Sequence, residues 1–152
     1  MKNRRKKFES DFASDWSSIA FPNEVDGYFD VYWFFQRHYS DEIAMVACFE
    51  NGKNFLIEAR VFSFHVTYEY GLEEYNGPKA IGVFKAVESN YEKWAKAGTV
   101  LDHLHEGMEH YSISTVSSQI DYVGLPPKIT CLSDGQLDQS TLVTIVSGER
   151  PN

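Results

Sequence analysis

The chain has 152 residues, of which 43% are hydrophobic and 15% aromatic. This length and composition predict a single domain over residues 1–152 and exclude a disordered chain. Fourteen basic side chains stand against 22 acidic ones, for a formal charge of −8. Five of the basic residues lie within residues 2–7, which leaves nine basic against 22 acidic side chains, or −13, in residues 8–152. A body this acidic argues against an extensive nucleic-acid surface, because phosphate binding depends on Lys and Arg.

The composition also bears on compartment. No stretch approaches the roughly 18 consecutive apolar residues of a membrane-spanning helix. Glu9 and Asp11 follow the basic N-terminus, and the apolar region of a signal peptide does not tolerate such acids. The sequence therefore predicts a cytoplasmic protein with no membrane partner. Cys48 and Cys131 lie in apolar, strand-like runs, which predicts two buried thiols and leaves too few cysteines for a Cys-based metal site.

Helical spacing of apolar residues marks the first predicted element. Phe8, Phe12, Trp16 and Ile19 recur every three or four residues among polar ones, which predicts an amphipathic helix over residues 4–19. Basic residues in its first turn oppose the helix dipole. Residues 1–7 are therefore predicted to form a mobile basic arm.

Strand-forming residues dominate the next part of the chain. Residues 27–36 are mostly aromatic and β-branched, which predicts a strand. Asn51-Gly52 then separates two apolar runs, 43–50 and 53–70. This dipeptide favours a type I′ turn, so the two runs are predicted to form a β-hairpin.

A second helix is predicted over about residues 78–97. Pro78 suits the first position of a helix, and Gly98 suits the position just after its last turn. Further strands are predicted at 110–116, 119–123, 128–132 and 141–146. The predicted fold class is therefore α+β: a mostly antiparallel sheet of about six to seven strands, with the N-terminal amphipathic helix and one long helix packed on it. The apolar residues of the long helix are Ala80, Phe84, Val87, Tyr91 and Trp94.

Two matched tetrapeptides are the first candidates for chemistry. They begin at His65 and His110, and each places a hydroxyl residue, Thr67 or Ser112, two positions later. Residues i and i+2 of a strand share a face, so each motif presents an imidazole beside a hydroxyl. One histidine acting as general base and the other as general acid, with the hydroxyls holding a phosphate, would form a phosphoesterase site. The alternative is that both histidines are structural residues bonded to a neighbour.

These motifs resemble those of the 2H phosphoesterase superfamily, which are built as His-hydrophobic-Thr/Ser-hydrophobic. The resemblance implies action on 2′,3′-cyclic or 2′-5′-linked nucleotide phosphates. It also implies that His65 and His110 are the acid and base, and that Thr67 and Ser112 bind the phosphate.

A second histidine-rich segment raises the question of a metal. His103, His105 and Glu109 resemble the His-x-His-x3-Glu core of the cupin metal motif. A cupin motif needs strands on both sides, whereas a predicted helix precedes this segment. On a helix the same side chains would form ordinary surface pairs. The sequence therefore predicts no metal and no cofactor.

Acidic residues in predicted loops and on helix faces lead to the primary functional prediction. An acidic surface speeds encounter with a basic protein, and aromatic anchors supply interface energy. We therefore predict a non-enzymatic interaction module of the immunity or inhibitor type, which binds a basic partner such as a nuclease toxin. The alternatives are the phosphoesterase and a domain that encloses a small apolar ligand between the sheet and the long helix. The residues predicted to contact the partner are Asp41, Glu42, Glu73, Glu74, Glu88 and Glu92.

Overall fold

The computed structural model describes residues 15–22, 27–37, 41–68, 77–78, 80–97, 107–133 and 137–148. Eight strands and two short helices occupy this part of the chain. The strands are β1 (Asp15–Ile19), β2 (Phe29–Gln36), β3 (Glu42–Phe49), β4 (Asn54–Tyr68), β5 (Gly82–Glu88), β6 (Glu109–Ser114), β7 (Ser118–Gly124) and β8 (Lys128–Ser133). The helices are α1 (Asn90–Ala97) and α2 (Gln139–Ser147).

Antiparallel pairing joins the strands in the order β1-β5-β6-β7-β4-β3-β2, with β8 paired to β4. The predicted antiparallel sheet is thus confirmed. The first half of β4 pairs with β3 and β8, and its second half pairs with β7. A bulge between Val61 and Ser63 separates the halves. Gly124 lies against this bulge, where an added Cβ would overlap the Arg60 carbonyl oxygen, so only glycine fits.

The main core lies on one face of this sheet. It contains alternate residues of each strand, for example Ile43 and Met45 of β3 and Ile120 and Tyr122 of β7. A second cluster joins the other face of β3 to α2, through Ala44, Val46, Leu142 and Val146 among others. Strand β3 is buried on both faces, which explains its nearly continuous apolar sequence.

The predicted α+β fold class is wrong, because the described residues form a mostly antiparallel β-sheet with only two short helices. The segment predicted as the long helix is strand β5 followed by the two-turn helix α1, and residues 15–19 of the predicted N-terminal helix are strand β1. Residues 4–14 lie outside the described part. Trp16 pairs with Ala86, and Ser18 pairs with Phe84, so the two segments predicted to be helical are neighbouring strands. Strand β5 pairs with β1 on one edge and with β6 on the other, so its backbone groups form hydrogen bonds on both sides. The stabilisation from this pairing outweighs the helical tendency of the segment, which rests only on the spacing of a few apolar residues.

Helix α2 replaces the strand predicted at 141–146. The Asp138 carboxylate accepts the Thr141 N–H at 2.7 Å, and Gly148 ends the helix with φ of 76°. Leu142 and Val146, four residues apart, both pack on β3. These contacts outweigh the strand preference of the β-branched residues between them.

The predicted hairpin is confirmed, although its turn differs. Phe49 donates its N–H to the Lys53 carbonyl at 2.9 Å and accepts the Gly52 N–H at 3.0 Å. The loop thus has three residues, with Gly52 at φ of 86°, instead of the two of a type I′ turn. Neither described helix is long and apolar enough to cross a membrane.

Candidate functional site

The face of β4, β7 and β6 opposite the core is polar and largely buried. Its residues form three rows across the strands, because directly paired residues of antiparallel strands point to the same side. The rows are Ser63–Val123–His110, His65–Asp121–Ser112 and Thr67–Gln119–Ser114. Asp121 and Ser112 are fully buried, and His110 is 1% exposed. Burial of so many polar groups on one face is costly without partners, so this face is the first candidate for a function.

A chain of hydrogen bonds runs through the buried imidazole. Ser89 Oγ lies 2.6 Å from His110 Nδ1, and His110 Nε2 lies 2.8 Å from Asp121 Oδ1. Gln119 Nε2 donates to the other carboxylate oxygen of Asp121 at 2.9 Å. Because a carboxylate can only accept, His110 Nε2 donates to Asp121, and Nδ1 is bonded to the Ser89 hydroxyl, so both ring nitrogens have a partner.

The same chain fastens helix α1 to the sheet. Ser89 is the N-cap of α1, and its Oγ accepts the Glu92 N–H at 2.9 Å. Trp16 and Tyr91 pack edge-on against the His110 ring, with centroids 5.1 and 5.0 Å away. The position of α1 is therefore set by both polar and aromatic contacts.

Tyr91 makes a second link between α1 and β4. Its hydroxyl lies 2.7 Å from Ser63 Oγ. Burial raises the pKa of Tyr91 to about 12, and the hydrogen bond from Ser63 opposes this rise only in part. The Tyr91 ring therefore stays neutral and fixed at physiological pH.

The order serine–histidine–carboxylate is that of a hydrolase relay, in which histidine accepts the serine proton. In this chain, however, Ser89 is 4% exposed and its Oγ also caps the helix. Both nitrogens of His110 are engaged beneath two aromatic rings. We therefore assign the three residues the role of a buried latch that holds α1 in place.

An open cleft of about 590 Å³ lies beside this latch, between β4 and α1. Trp94 of α1 and Phe62 of β4 line this cleft, and their side chains are 57% and 39% exposed, respectively. Ser63, Ala95 and Ala97 complete the lining. The Trp94 ring stacks on the Tyr91 ring with their centroids 6.0 Å apart. Tyr91 itself packs against His110 of the buried latch, so the latch holds the exposed Trp94 ring in position. Exposed aromatic rings on a fixed scaffold are typical of binding surfaces.

The four residues predicted to be catalytic lie on the same polar face, but the two motifs are not next to each other. Strand β7 separates His65 and Thr67 on β4 from His110 and Ser112 on β6. Two strand spacings put about 10 Å between β4 and β6, with Asp121 in between. His65 is half-buried, while His110 is enclosed by its partners. Thr67 Oγ1 and Ser112 Oγ are buried and have no hydrogen-bond partner within the described structure.

Of the four described acids that were predicted to contact a partner protein, three form an ion pair inside the chain. Asp41 pairs with Arg60 at 3.1 Å, Glu42 pairs with Arg37, and Glu92 pairs with Lys96 at 3.7 Å. Glu88 is exposed and lies beside Asp15 in the β1–β5 ladder. Glu73 and Glu74 lie outside the described residues.

No group of three or more His, Cys, Asp and Glu side chains among the described residues could hold a metal ion. His103 and His105 are outside that part of the chain, and Glu109 pairs with Lys85 at 2.6 Å. The prediction of two buried thiols is wrong for Cys131, which is exposed. Cys48 is half-buried, and burial together with nearby Asp30 raises the pKa of its thiol.

Sequence reasoning did not single out Ser89, Asp121 or Phe62. Ser89 and Glu92 have the spacing of a capping box, which marks the start of a helix after β5. Asp121 stands between Ile120 and Tyr122 in a predicted apolar strand, and a carboxylate there is itself a sign of a buried polar contact. Phe62 carries no such sign, because its exposure follows from the bulge in β4.

Comparisons of the chain with protein-family models, with curated proteins and with solved structures found no match.

Proposed function

We propose that the chain is an interaction module of the immunity or inhibitor type, which binds a basic protein such as a nuclease toxin. The observation that carries this proposal is the pair of exposed rings, Trp94 and Phe62, on either side of one cleft in an acidic chain. Tryptophan is among the residues that most often dominate interface energies. The cleft is therefore the docking point of the module.

Rigidity of the cleft supports the proposal. Helix α1 is held by Ser89 through His110 and Asp121, and by Tyr91 through Ser63. A surface fixed before binding loses little conformational entropy on association. The latch thus contributes to affinity without touching the partner.

The charge of the chain supports a basic partner. The formal charge of −8 attracts a basic protein over a distance comparable to the Debye length, which raises the association rate at low salt. Glu88 is the predicted contact residue that remains exposed and has no ion pair within the described structure. Ion pairs within the chain already engage Asp41, Glu42 and Glu92. These acids therefore contribute to the negative electrostatic potential of the protein more than to direct contacts with a partner.

Affinity capture from the native host tests the proposal. The tagged full chain is compared with Trp94→Ala and with Tyr32→Ala, an exposed aromatic residue of strand β2, at low and high salt. We expect a basic protein that is retained by the wild type and by Tyr32→Ala, lost with Trp94→Ala, and weakened by salt. Capture of no basic protein at low salt, or equal capture by Trp94→Ala, would falsify the proposal.

A phosphoesterase is the second candidate function. It is favoured by the two buried hydroxyls of Thr67 and Ser112, which have no partner in the described structure and lie on the same face as His65. A substrate would have to lie across β7 above Asp121, whose carboxylate repels phosphate, and this places the function second.

Hydrolysis of 2′,3′-cyclic nucleotides tests this second function directly. We expect turnover by the wild type, loss with His65→Ala, and retention with Ser63→Ala, a serine of the same strand face. Absence of turnover by the folded wild type, or full activity of His65→Ala, rules it out.

A further inference from the structure

We infer that residues 63–67 of β4 pair antiparallel with the same residues of a second copy of this chain, about a two-fold axis at His65. The two copies then form one continuous sheet, in which the β4 strands are neighbours and β7 lies on the far side of each. This inference goes beyond the proposed function, because it requires no basic partner and does not involve Trp94.

One edge of this part of β4 is open within the described residues. Strand β3 pairs with residues 54–60 of β4, and β8 pairs with residues 54–58. Beyond the bulge, the one strand that pairs with β4 in the described structure is β7, through residues 63–68. No described strand lies on the opposite edge, so its N–H and C=O groups can pair with a further strand.

The open edge lacks the charges that the other outer strands carry. Strands β1, β2 and β8 each pair with one described strand, and each contains a charged residue, namely Asp15, Asp30 and Lys128. Residues 61–68 contain no Asp, Glu, Lys, Arg or Pro. Natural proteins place such residues on exposed edges to prevent pairing with another chain. The sequence of this edge is therefore that of a strand which another strand covers.

The order of residue types around His65 identifies the covering strand as a second copy. In either direction from His65 the sequence gives an apolar residue, then a hydroxyl residue and then an aromatic one: Phe64 and Val66, Ser63 and Thr67, Phe62 and Tyr68. In antiparallel pairing about His65, each hydroxyl residue lies opposite a hydroxyl residue and each apolar residue opposite an apolar one. Directly opposed pairs of these kinds stabilise antiparallel strands. A two-fold axis also closes the assembly at two copies.

The same pairing keeps the two faces of the sheet continuous. Phe64 and Val66 lie on the core face of β4, whereas Ser63 and Thr67 lie on the polar face. A two-fold axis perpendicular to the sheet preserves this separation, so Phe64 packs against Val66 of the second copy. Phe64 is 37% exposed, so apolar surface remains at this edge for the second copy to bury.

Charge sets the conditions under which the dimer forms. Each copy carries a formal charge of −8, and this repulsion opposes association at low salt. The paired residues are uncharged at neutral pH, so the repulsion comes from the rest of the surface and is screened by salt. We therefore expect salt to strengthen the dimer, whereas it weakens the binding of a basic protein.

Sedimentation equilibrium of the purified full chain tests the inference over a wide range of protein concentration, at low and at physiological salt. A reducing agent excludes a disulfide through the exposed Cys131. We expect a species of twice the chain mass that forms with rising concentration and more readily in salt.

Two charge variants locate the interface. Phe64→Lys places a charge on the open edge, so we expect a monomer at all concentrations. Tyr32→Lys adds the same charge to β2 at a position that is also exposed, and should leave the dimer unchanged. Circular dichroism verifies that both variants are folded. A wild type that stays monomeric, or a folded Phe64→Lys variant that still dimerises, overturns the inference.

Cysteine cross-linking tests the register, and it does so even if Phe64→Lys does not fold. Cys48→Ala and Cys131→Ser first remove the native thiols. Ser63 lies opposite Thr67 of the second copy, at a Cα distance of about 5 Å that permits a disulfide. Thr67 lies four residues from Thr67 of the second copy, at about 13 Å, which does not.

We therefore expect oxidised glutathione to cross-link a mixture of Ser63→Cys and Thr67→Cys chains, but neither variant alone. His65→Cys lies on the axis and should cross-link by itself. Cross-linking of Thr67→Cys with itself, or none in the mixture, overturns the inference.

These outcomes are separate from those of the proposed function. If the dimer forms but capture yields no basic protein, the dimer stands and the immunity-type function fails. If a monomeric chain captures a basic protein through Trp94, the function stands and the edge of β4 is not a dimer interface.

Discussion

Asp121 is the buried charge on which the polar face depends. It is fully buried, and it accepts hydrogen bonds from His110 and Gln119. An isolated carboxylate at this depth would be very costly, so the two donors are a condition for folding.

We expect Asp121→Ala to destabilise the protein by about 3–5 kcal/mol, because it leaves the His110 and Gln119 donors buried without an acceptor. Urea denaturation monitored by circular dichroism measures the change. Ser112→Ala and Thr67→Val are matched controls on the same face: their hydroxyls have no partner within the described structure, so we expect neutral or slightly positive effects on stability. A loss of stability in these controls equal to that of Asp121→Ala would mean that their hydroxyls are bonded in solution.

The raised pKa of Tyr91 predicts that the folded protein loses stability at alkaline pH. Its pKa in the folded protein, about 12, lies above the ordinary value of 10, so folding opposes its ionisation. The stabilisation is complete below pH 10 and is lost as the pH rises through about 12.

Tyr91→Phe removes this alkaline dependence while keeping the ring against His110. We expect it to cost about 1 kcal/mol at neutral pH, through the lost hydrogen bond to Ser63. Thermal unfolding of both proteins from pH 8 to 12 measures the difference, which should narrow as the pH rises. A constant difference across that range would show that Tyr91 does not titrate in this window.

At the scale of elements, β1 and β5 show why helical spacing misled the sequence prediction. Trp16 and Ile19, like Phe84 and Val87, are three residues apart, which matches one face of a helix. In the fold Trp16 and Ile19 point to opposite faces of β1, Trp16 to the His110 ring and Ile19 to the main core, because side chains alternate along a strand. The two errors are linked, since each segment is the partner that makes the other a strand.

The start of α2 predicts a pH-dependent cap. The Asp138 carboxylate accepts the Thr141 N–H and the Ser140 hydroxyl, and these bonds hold its pKa below the ordinary value of 3.8. A lowered pKa means that the stabilisation is present above 3.8 and is lost as the pH falls through the folded value.

We therefore expect Asp138→Ala to lower the melting temperature at pH 7. As the pH falls below 3.8, the wild type loses this stabilisation, so the melting temperatures of the two proteins should converge. Asp138→Asn keeps an equivalent cap and should retain most of the stability throughout. Differential scanning calorimetry from pH 3 to 7 provides the measurement. If Asp138→Asn is as unstable as Asp138→Ala at pH 7, the charge and not the capping geometry is what stabilises α2.

At the scale of the whole molecule, the excess of acids predicts a dependence on salt. Residues 8–152 carry nine basic against 22 acidic side chains, so repulsion among acids outweighs the local pairs such as Asp41–Arg60. We expect the melting temperature at pH 7 to rise between low ionic strength and physiological salt, as the repulsion is screened. A fall in the melting temperature would show instead that the ion pairs of Arg37 and Arg60 dominate.

Features that depend on residues close together in the chain could be predicted from the amino-acid sequence. Alternation and β-branched content predicted β2, β3, β4 and the strands from β6 to β8, and Asn51-Gly52 predicted the hairpin. The candidate histidines and hydroxyls were visible as motifs, and the acidic character followed from composition.

The identity of β1, β5 and α2, and the surroundings of His110, depend instead on long-range contacts in the folded chain. Ser89, His110 and Asp121 come from three elements, and their distances of 2.6 and 2.8 Å depend on the register of β6 with β7 and on the placement of α1. The pairing of Trp94 with Phe62 likewise joins residues from α1 and β4. The physical reason is that strand pairing and burial stabilise contacts between residues far apart in the sequence. The local spacing and propensity of a segment say nothing about which distant segment it will contact.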